Sequence, residues 1–160
     1  MSEQAKWQAC TDTYNQDKAT VFIAWFEETK NNLSRFFAAK GITDAVLLHA
    51  DFARNGNNNP MVFIEHFPLE EEEQRKYLDL GLEAALVFSS LDEPIFSFFG
   101  GGKIIPLMQK MGMKEDEAIE HDMITASIKK AQEKIGKKAI VTSSARSQAD
   151  WLLNAGISND

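Results

Sequence analysis

Residues 20–50 read TVFIAWFEETKNNLSRFFAAKGITDAVLLHA, and their pattern decides the fold. Thr20 to Trp25 is an unbroken apolar and β-branched run of strand length, the kind that a parallel strand covered on both faces requires. Glu27 and Glu28 then supply an acidic first helical turn; Leu33, Phe36 and Phe37 recur at helical spacing, and Gly41 stands where a C′ glycine ends a helix. Ala45 to Ala50, AVLLHA, is a second apolar run. Strand, helix and strand in this order make a βαβ unit, whose crossover is expected to be right-handed.

The pattern continues outward. The cluster NGNNNP at 55–60 turns easily and packs poorly, so it reads as a surface loop. Met61 to Phe67 is a third strand, Pro68 ends it, and the acidic run Glu70–Glu73 opens a solvated helix that reaches about Leu80 and stops at Gly81. Ala84 to Ser89 is a fourth strand, and Pro94 sits near a helix N1 position. A short helix follows the glycines at 100–102, a longer one covers Met123 to Ile135, Ala139 to Thr142 adds an edge strand, and a closing helix places Trp151 beside the core. Upstream, Trp7 and Tyr14 are seven apart and share one side of a helix if residues 1–18 form one; a partly ordered extension is the alternative. The expected fold is α/β: three layers, a mainly parallel sheet of four to five strands, a helical C-terminal part, and a single domain over residues 19–160 behind the extension.

Composition bounds the function. The chain has 160 residues, enough for one domain with a proper core, and 44% are apolar. Its net charge of −7 argues against nucleic acid and anionic lipid as partners. Cys10 is the sole cysteine and forms no internal disulfide; no apolar run is long enough for a membrane span, and MSEQAKWQAC lacks the pattern of a secretory signal. A cytoplasmic protein is expected.

Phe88 to Ile135, FSSLDEPIFSFFGGGKIIPLMQKMGMKEDEAIEHDMITASIKKAQEKI, resembles one family, SecA, the motor ATPase of preprotein translocation. The matched words, in the family's order, include Leu107-Met108, Gly112-Met113-Lys114-Glu115, Glu117-Ala118-Ile119-Glu120-His121, Met123-Ile124 and Ala131-Gln132. The stretch looks like the end of that family's second nucleotide-binding domain and the start of its helical scaffold. Residues 20–50 are similar in layout to the opening βαβ of the same domain, and FIEHF at 63–67 to the strand before its last helicase motif. The resemblance implies a RecA-like domain that stands alone and is degenerate. Residues 51–60 hold DFARNGNNNP where the family carries a Gly-Arg-Gly-Thr-Asp motif, and 67–80 hold Arg75 among glutamates where it carries an arginine-rich one. With no G-x-x-x-x-G-K-[ST] loop either, the resemblance implies no ATP binding, no cofactor and a non-catalytic role, with the translocation machinery or a second copy as protein partner.

The residues themselves leave a second reading open. His49 and His66 fall at the C-terminal ends of parallel strands, where open α/β sheets bind ligands, so a small-molecule or hydrolytic site would involve Trp25, His49, Glu65 and His66. Gly101, Gly102 and Lys103 open a helix and are candidates for anion binding. None of the three histidines has the spacing of a metal site, so no metal is expected.

Overall fold

A computed structural model describes residues 3–55, 58–83, 85–90, 93–95, 128–130, 132–133, 135 and 145–155. Helix α1 spans Glu3–Gln16, strand β1 Val21–Ala24, helix α2 Glu27–Ala39 and strand β2 Val46–His49. A 3-10 turn, Ala50–Phe52, precedes β3 (Met61–Phe63), α3 (Glu70–Asp79) and β4 (Leu86–Val87), and α4 (Gln148–Asn154) closes the described chain. The sheet is parallel throughout, in the order β2-β1-β3-β4. Val21 is in register with Val46 on one side and Met61 on the other, and Val62 with Leu86.

The alternation of β1 explains the layers. All four of its residues are buried, as a central parallel strand demands. Phe22 and Ala24 point to one face, into a cluster with Trp7, Cys10 and Tyr14 of α1 and Leu33 and Phe37 of α2. Val21 and Ile23 point to the other, toward Phe63, Tyr77 and Leu80. Helices α1 and α2 therefore cover one face and α3 the other, giving the three layers expected from the sequence. Phe37 anchors the first core, edge-on to Phe22 at 5.4 Å and tilted on Tyr14 at 6.0 Å.

Helix stops follow the glycines. Gly41 has φ of 77° and Gly81 of 72°, the left-handed geometry that ends a helix and that a side chain resists. Two expectations are altered. Strand β3 ends at Phe63 rather than Phe67, because beyond Ile64 the side chain of Glu65 takes over bonding to the end of β1. Glu73 is buried rather than solvated, since the helical repeat turns it inward with Tyr77, four residues on. Leu153 is exposed, whereas Leu152 and Trp151 are buried. Ile128 to Lys130, Gln132, Glu133 and Ile135 are helical, within the helix expected over Met123–Ile135. The expected helix after Gly102 and the Ala139–Thr142 strand lie outside the described residues.

Leu33 is fully buried in the first core, whereas Leu78 on α3 is 77% exposed. Leu33→Ala should cost roughly 2–5 kcal/mol in chemical denaturation. Leu78→Ala should stay within about 0.5 kcal/mol of the parent.

Candidate functional site

From the central strands the chain goes one way to β2 and the other to β3 and β4. The crevice between the C-terminal ends of β1 and β3 is thus the topological switch point, where open α/β sheets receive ligands. Helix α2 begins there, and its first N–H groups need acceptors. Its cap residue, Phe26, offers no side-chain bond. The acceptor comes from β3 instead: Glu65 Oε2 accepts from the backbone N–H groups of Trp25 and Phe26, each at 3.0 Å, and Oε1 accepts from Thr29 Oγ1 at 2.7 Å. The N–H of Glu28 donates to the carbonyl of Arg146 at 2.9 Å.

A second buried charge roofs this carboxyl. Lys6 of α1 donates to the carbonyl of Ile64 at 2.9 Å and to Glu93 Oε1 at 2.8 Å, and lies 4.7 Å from the centre of the Trp7 ring. Glu93 also accepts from the N–H of Ser90 and the hydroxyl of Ser89. Burial raises the Glu65 carboxyl to about 7; the Lys6 ammonium pulls it down and the Glu93 charge pushes it up, with Thr29 and the Phe26 N–H favouring the ionised form. Burial also works against the Lys6 charge, but Glu93 more than offsets it, and the ammonium is held above its ordinary range. Lys6, Thr29, Asn32, Glu65, Glu93 and Gln148 line a cavity of about 180 Å³ beside the pair.

His66, beyond the end of β3, turns toward α3. Its Nδ1 lies 3.0 Å from Glu73 Oε2, which also accepts from the N–H of Phe67 at 2.8 Å. Burial disfavours the imidazolium, yet bonding to Glu73 and its charge raise the His66 pKa. The C-terminal segments dock on the same strand end. Gln132 Nε2 donates to the Phe67 carbonyl at 2.7 Å, Gln148 Nε2 to the His66 carbonyl at 3.1 Å, and the N–H of Ile95 to Gln148 Oε1 at 2.9 Å. Trp151 packs edge-on to Phe67 at 5.5 Å.

The four residues expected from sequence as a ligand site do not converge. Trp25 meets Glu65 through its backbone N–H only, while its ring packs on Phe63 and Phe67. Glu65 bonds to Thr29 of α2 and His66 to Glu73 of α3. His49 ends the edge strand β2, where Nδ1 accepts from the N–H of Asp51 at 3.1 Å. Gly101, Gly102 and Lys103 lie outside the described residues. Lys6, Thr29, Glu73, Glu93, Gln132 and Gln148 were not anticipated. Lys6 had a signal: it shares the four-residue spacing of Cys10 and Tyr14 on the inward side of α1. Among the described residues no group of three or more His, Cys, Asp or Glu is placed to hold a metal ion, and no helix is long and apolar enough to cross a membrane.

Fold and site together define an open parallel α/β domain whose switch-point crevice holds an internal carboxyl. No family model matches the chain. Over 48 residues, 30% of its length, it is 52% identical to the protein translocase subunit SecA of Acidithiobacillus ferrooxidans. Over the same length it is 44% identical to SecA 1 of Alkaliphilus metalliredigens and to SecA of Acinetobacter baumannii. The chain thus carries a SecA-related segment. The aligned part spans about 5% of each relative.

The raised Glu65 and His66 values fix the sign of a pH dependence. Folded Glu65 keeps a proton that the unfolded chain, with its ordinary value of 4.5, gives up. Its contribution to stability therefore falls between about pH 4.5 and 7, by on the order of 3 kcal/mol. His66 adds stability below its ordinary 6.5 that is lost as pH rises through its folded value, so both act in one direction. Glu65→Gln, which mimics the protonated acid, should flatten the fall over pH 4.5–7 in urea titrations and leave the His66 part.

Proposed function

We propose that this chain is a SecA-related, non-catalytic α/β module that serves preprotein translocation by binding a protein partner. One observation carries the non-catalytic reading. At the end of β1 the N–H groups of Trp25 and Phe26 and the hydroxyl of Thr29 are aimed at one point, and the Glu65 carboxyl occupies it. A helix N-terminus at a switch point is where a phosphate would be held by such donors. A phosphate and the Glu65 carboxyl compete for the same N–H groups, and the carboxyl is covalently attached. Glu93, across Lys6, adds a second carboxylate that repels an anion.

The translocation reading rests on the SecA-related segment. Phe88, Ser90, Glu93, Ile95, Gln132 and Ile135 belong to the stretch Phe88–Ile135 singled out by resemblance, and Glu93, Ile95 and Gln132 bond to or beside the strand ends. In this reading the described residues of that stretch close the crevice, and the outer surface is what a partner meets. The second reading, a small-molecule site at the same place, draws on the cavity beside Glu65. At about 180 Å³ it is below the roughly 300–1,000 Å³ that ligand pockets occupy. Size favours the protein-binding reading.

Purified chain should turn over no MgATP above background and should bind purified SecA or an unfolded preprotein in a sedimentation assay. Turnover that is abolished by chelating divalent metal would overturn the non-catalytic reading, and failure to bind either protein the translocation reading.

A further inference from the structure

The cavity beside Glu65 has a graded lining. Glu3, Glu28 and Ala149, from α1, α2 and α4, are exposed, whereas Lys6, Glu65, Ser90, Glu93 and Gln148 beneath them are buried. It is a recess that opens where the three helices meet and is floored by the network at the strand ends. At about 180 Å³ it has room for about six waters at roughly 30 Å³ each, or for one long side chain.

Charge and hydrogen bonding in the lining select the occupant. Among the described lining residues Lys6 is the one cation, and Glu93 neutralises it at 2.8 Å. Glu28, in the acidic first turn of α2, then gives the recess an excess of negative charge, to which an ionised Glu65 only adds. The excess survives in either protonation state of Glu65. Lys6, Thr29 and Gln148 spend donors on Glu93, Glu65 and the His66 carbonyl. Acceptor capacity remains. A carboxylate offers about four lone-pair sites, yet Glu65 Oε1 and Glu93 Oε2 each accept from one group among the described residues, the hydroxyls of Thr29 and Ser89. Spare acceptors, surplus negative charge and a buried floor suit a cationic donor that sheds water cheaply. A guanidinium meets this better than an ammonium, because it is planar, more weakly hydrated and able to bond two carboxylates through separate N–H groups.

We propose that this recess receives an arginine side chain of a partner protein, its guanidinium seated between Glu28 at the rim and the Glu65 and Glu93 carboxyls at the floor. The proposal deepens the protein-binding reading, on which it rests, by naming the group that the partner inserts. It also assigns the surface: the mouth between Glu28 and Ala149, at the start of α2 and the first turn of α4.

Titrating the isotopically labelled whole chain with a blocked Gly-Arg-Gly peptide tests it. The Trp7 indole and the side-chain amides of Asn32 and Gln148, all in the lining, should shift saturably, while the indole of Trp25, packed on Phe63 and Phe67, stays in place. The citrulline version, similar in shape but uncharged, should bind at least about tenfold more weakly, and the lysine version more weakly than arginine. Glu28→Lys, a reversal at an exposed position, should weaken the arginine peptide by about tenfold or more. Unmoved lining signals, citrulline binding equal to arginine, or lysine binding at least as tight would overturn the assignment. If the variant does not fold, the three peptides on the wild type decide. Failure here is distinct from failure of the protein-binding reading. Undiminished binding of SecA or an unfolded preprotein by folded Glu28→Lys would sink this proposal alone, whereas lining shifts in a chain that binds neither protein would keep the arginine site and remove the translocation reading.

Discussion

The Glu65 carboxyl is the constraint around which the rest of the domain is arranged. It joins the end of β3 to the end of β1 and to the first turn of α2 through three hydrogen bonds, and so serves as a helix cap supplied from about 40 residues away. Burying an acid in this way is costly unless its oxygens are satisfied, and here both are. The Lys6 ammonium pulls the raised pKa of this carboxyl down, and Lys6 requires Glu93, which fixes the segment after β4. Each step follows from the cost of leaving a buried polar group alone. The chain of partners runs from α1 through the sheet to the described part of the SecA-related stretch.

The architecture was legible because it rests on local signals. The apolar runs at 20–25, 45–50 and 61–67 contain β1, β2 and β3, and the glycines at 41 and 81 end α2 and α3 in the left-handed conformation. These features depend on neighbours within a few residues. The site was only partly legible, because its bonds span long separations: 58 residues from Lys6 to Ile64, 87 from Lys6 to Glu93, and 82 from Gln148 to His66. No period in a sequence reports such a pair. His66 was a candidate because it falls at the end of an expected strand, and Glu65 was named beside it. The two part beyond the strand: His66 bonds to Glu73 of α3, whereas Glu65 bonds to the end of β1 and the start of α2. Glu73 was hidden in an acidic run whose other members are not buried.

What the fold offers and what its residues do with it are different matters. A switch point flanked by a helix N-terminus is a standing invitation to an anion. In this chain the invitation is answered internally, and Lys6, the one buried ammonium near the crevice among the described residues, is paired with Glu93. The similarity to SecA reaches 52% identity yet covers 48 residues, so it links a segment to that family without carrying over the activity of the whole. The occupied crevice and the short alignment are independent observations.

The central claim is that Glu65 holds the position a ligand phosphate would take. Titrating MgATP into isotopically labelled protein while following the backbone amide signals of Trp25, Phe26 and Thr29 tests it most directly. These signals should stay in place up to millimolar nucleotide in the wild type. Saturable shifts centred on the same three amides would show that nucleotide displaces the carboxyl, and would contradict the account.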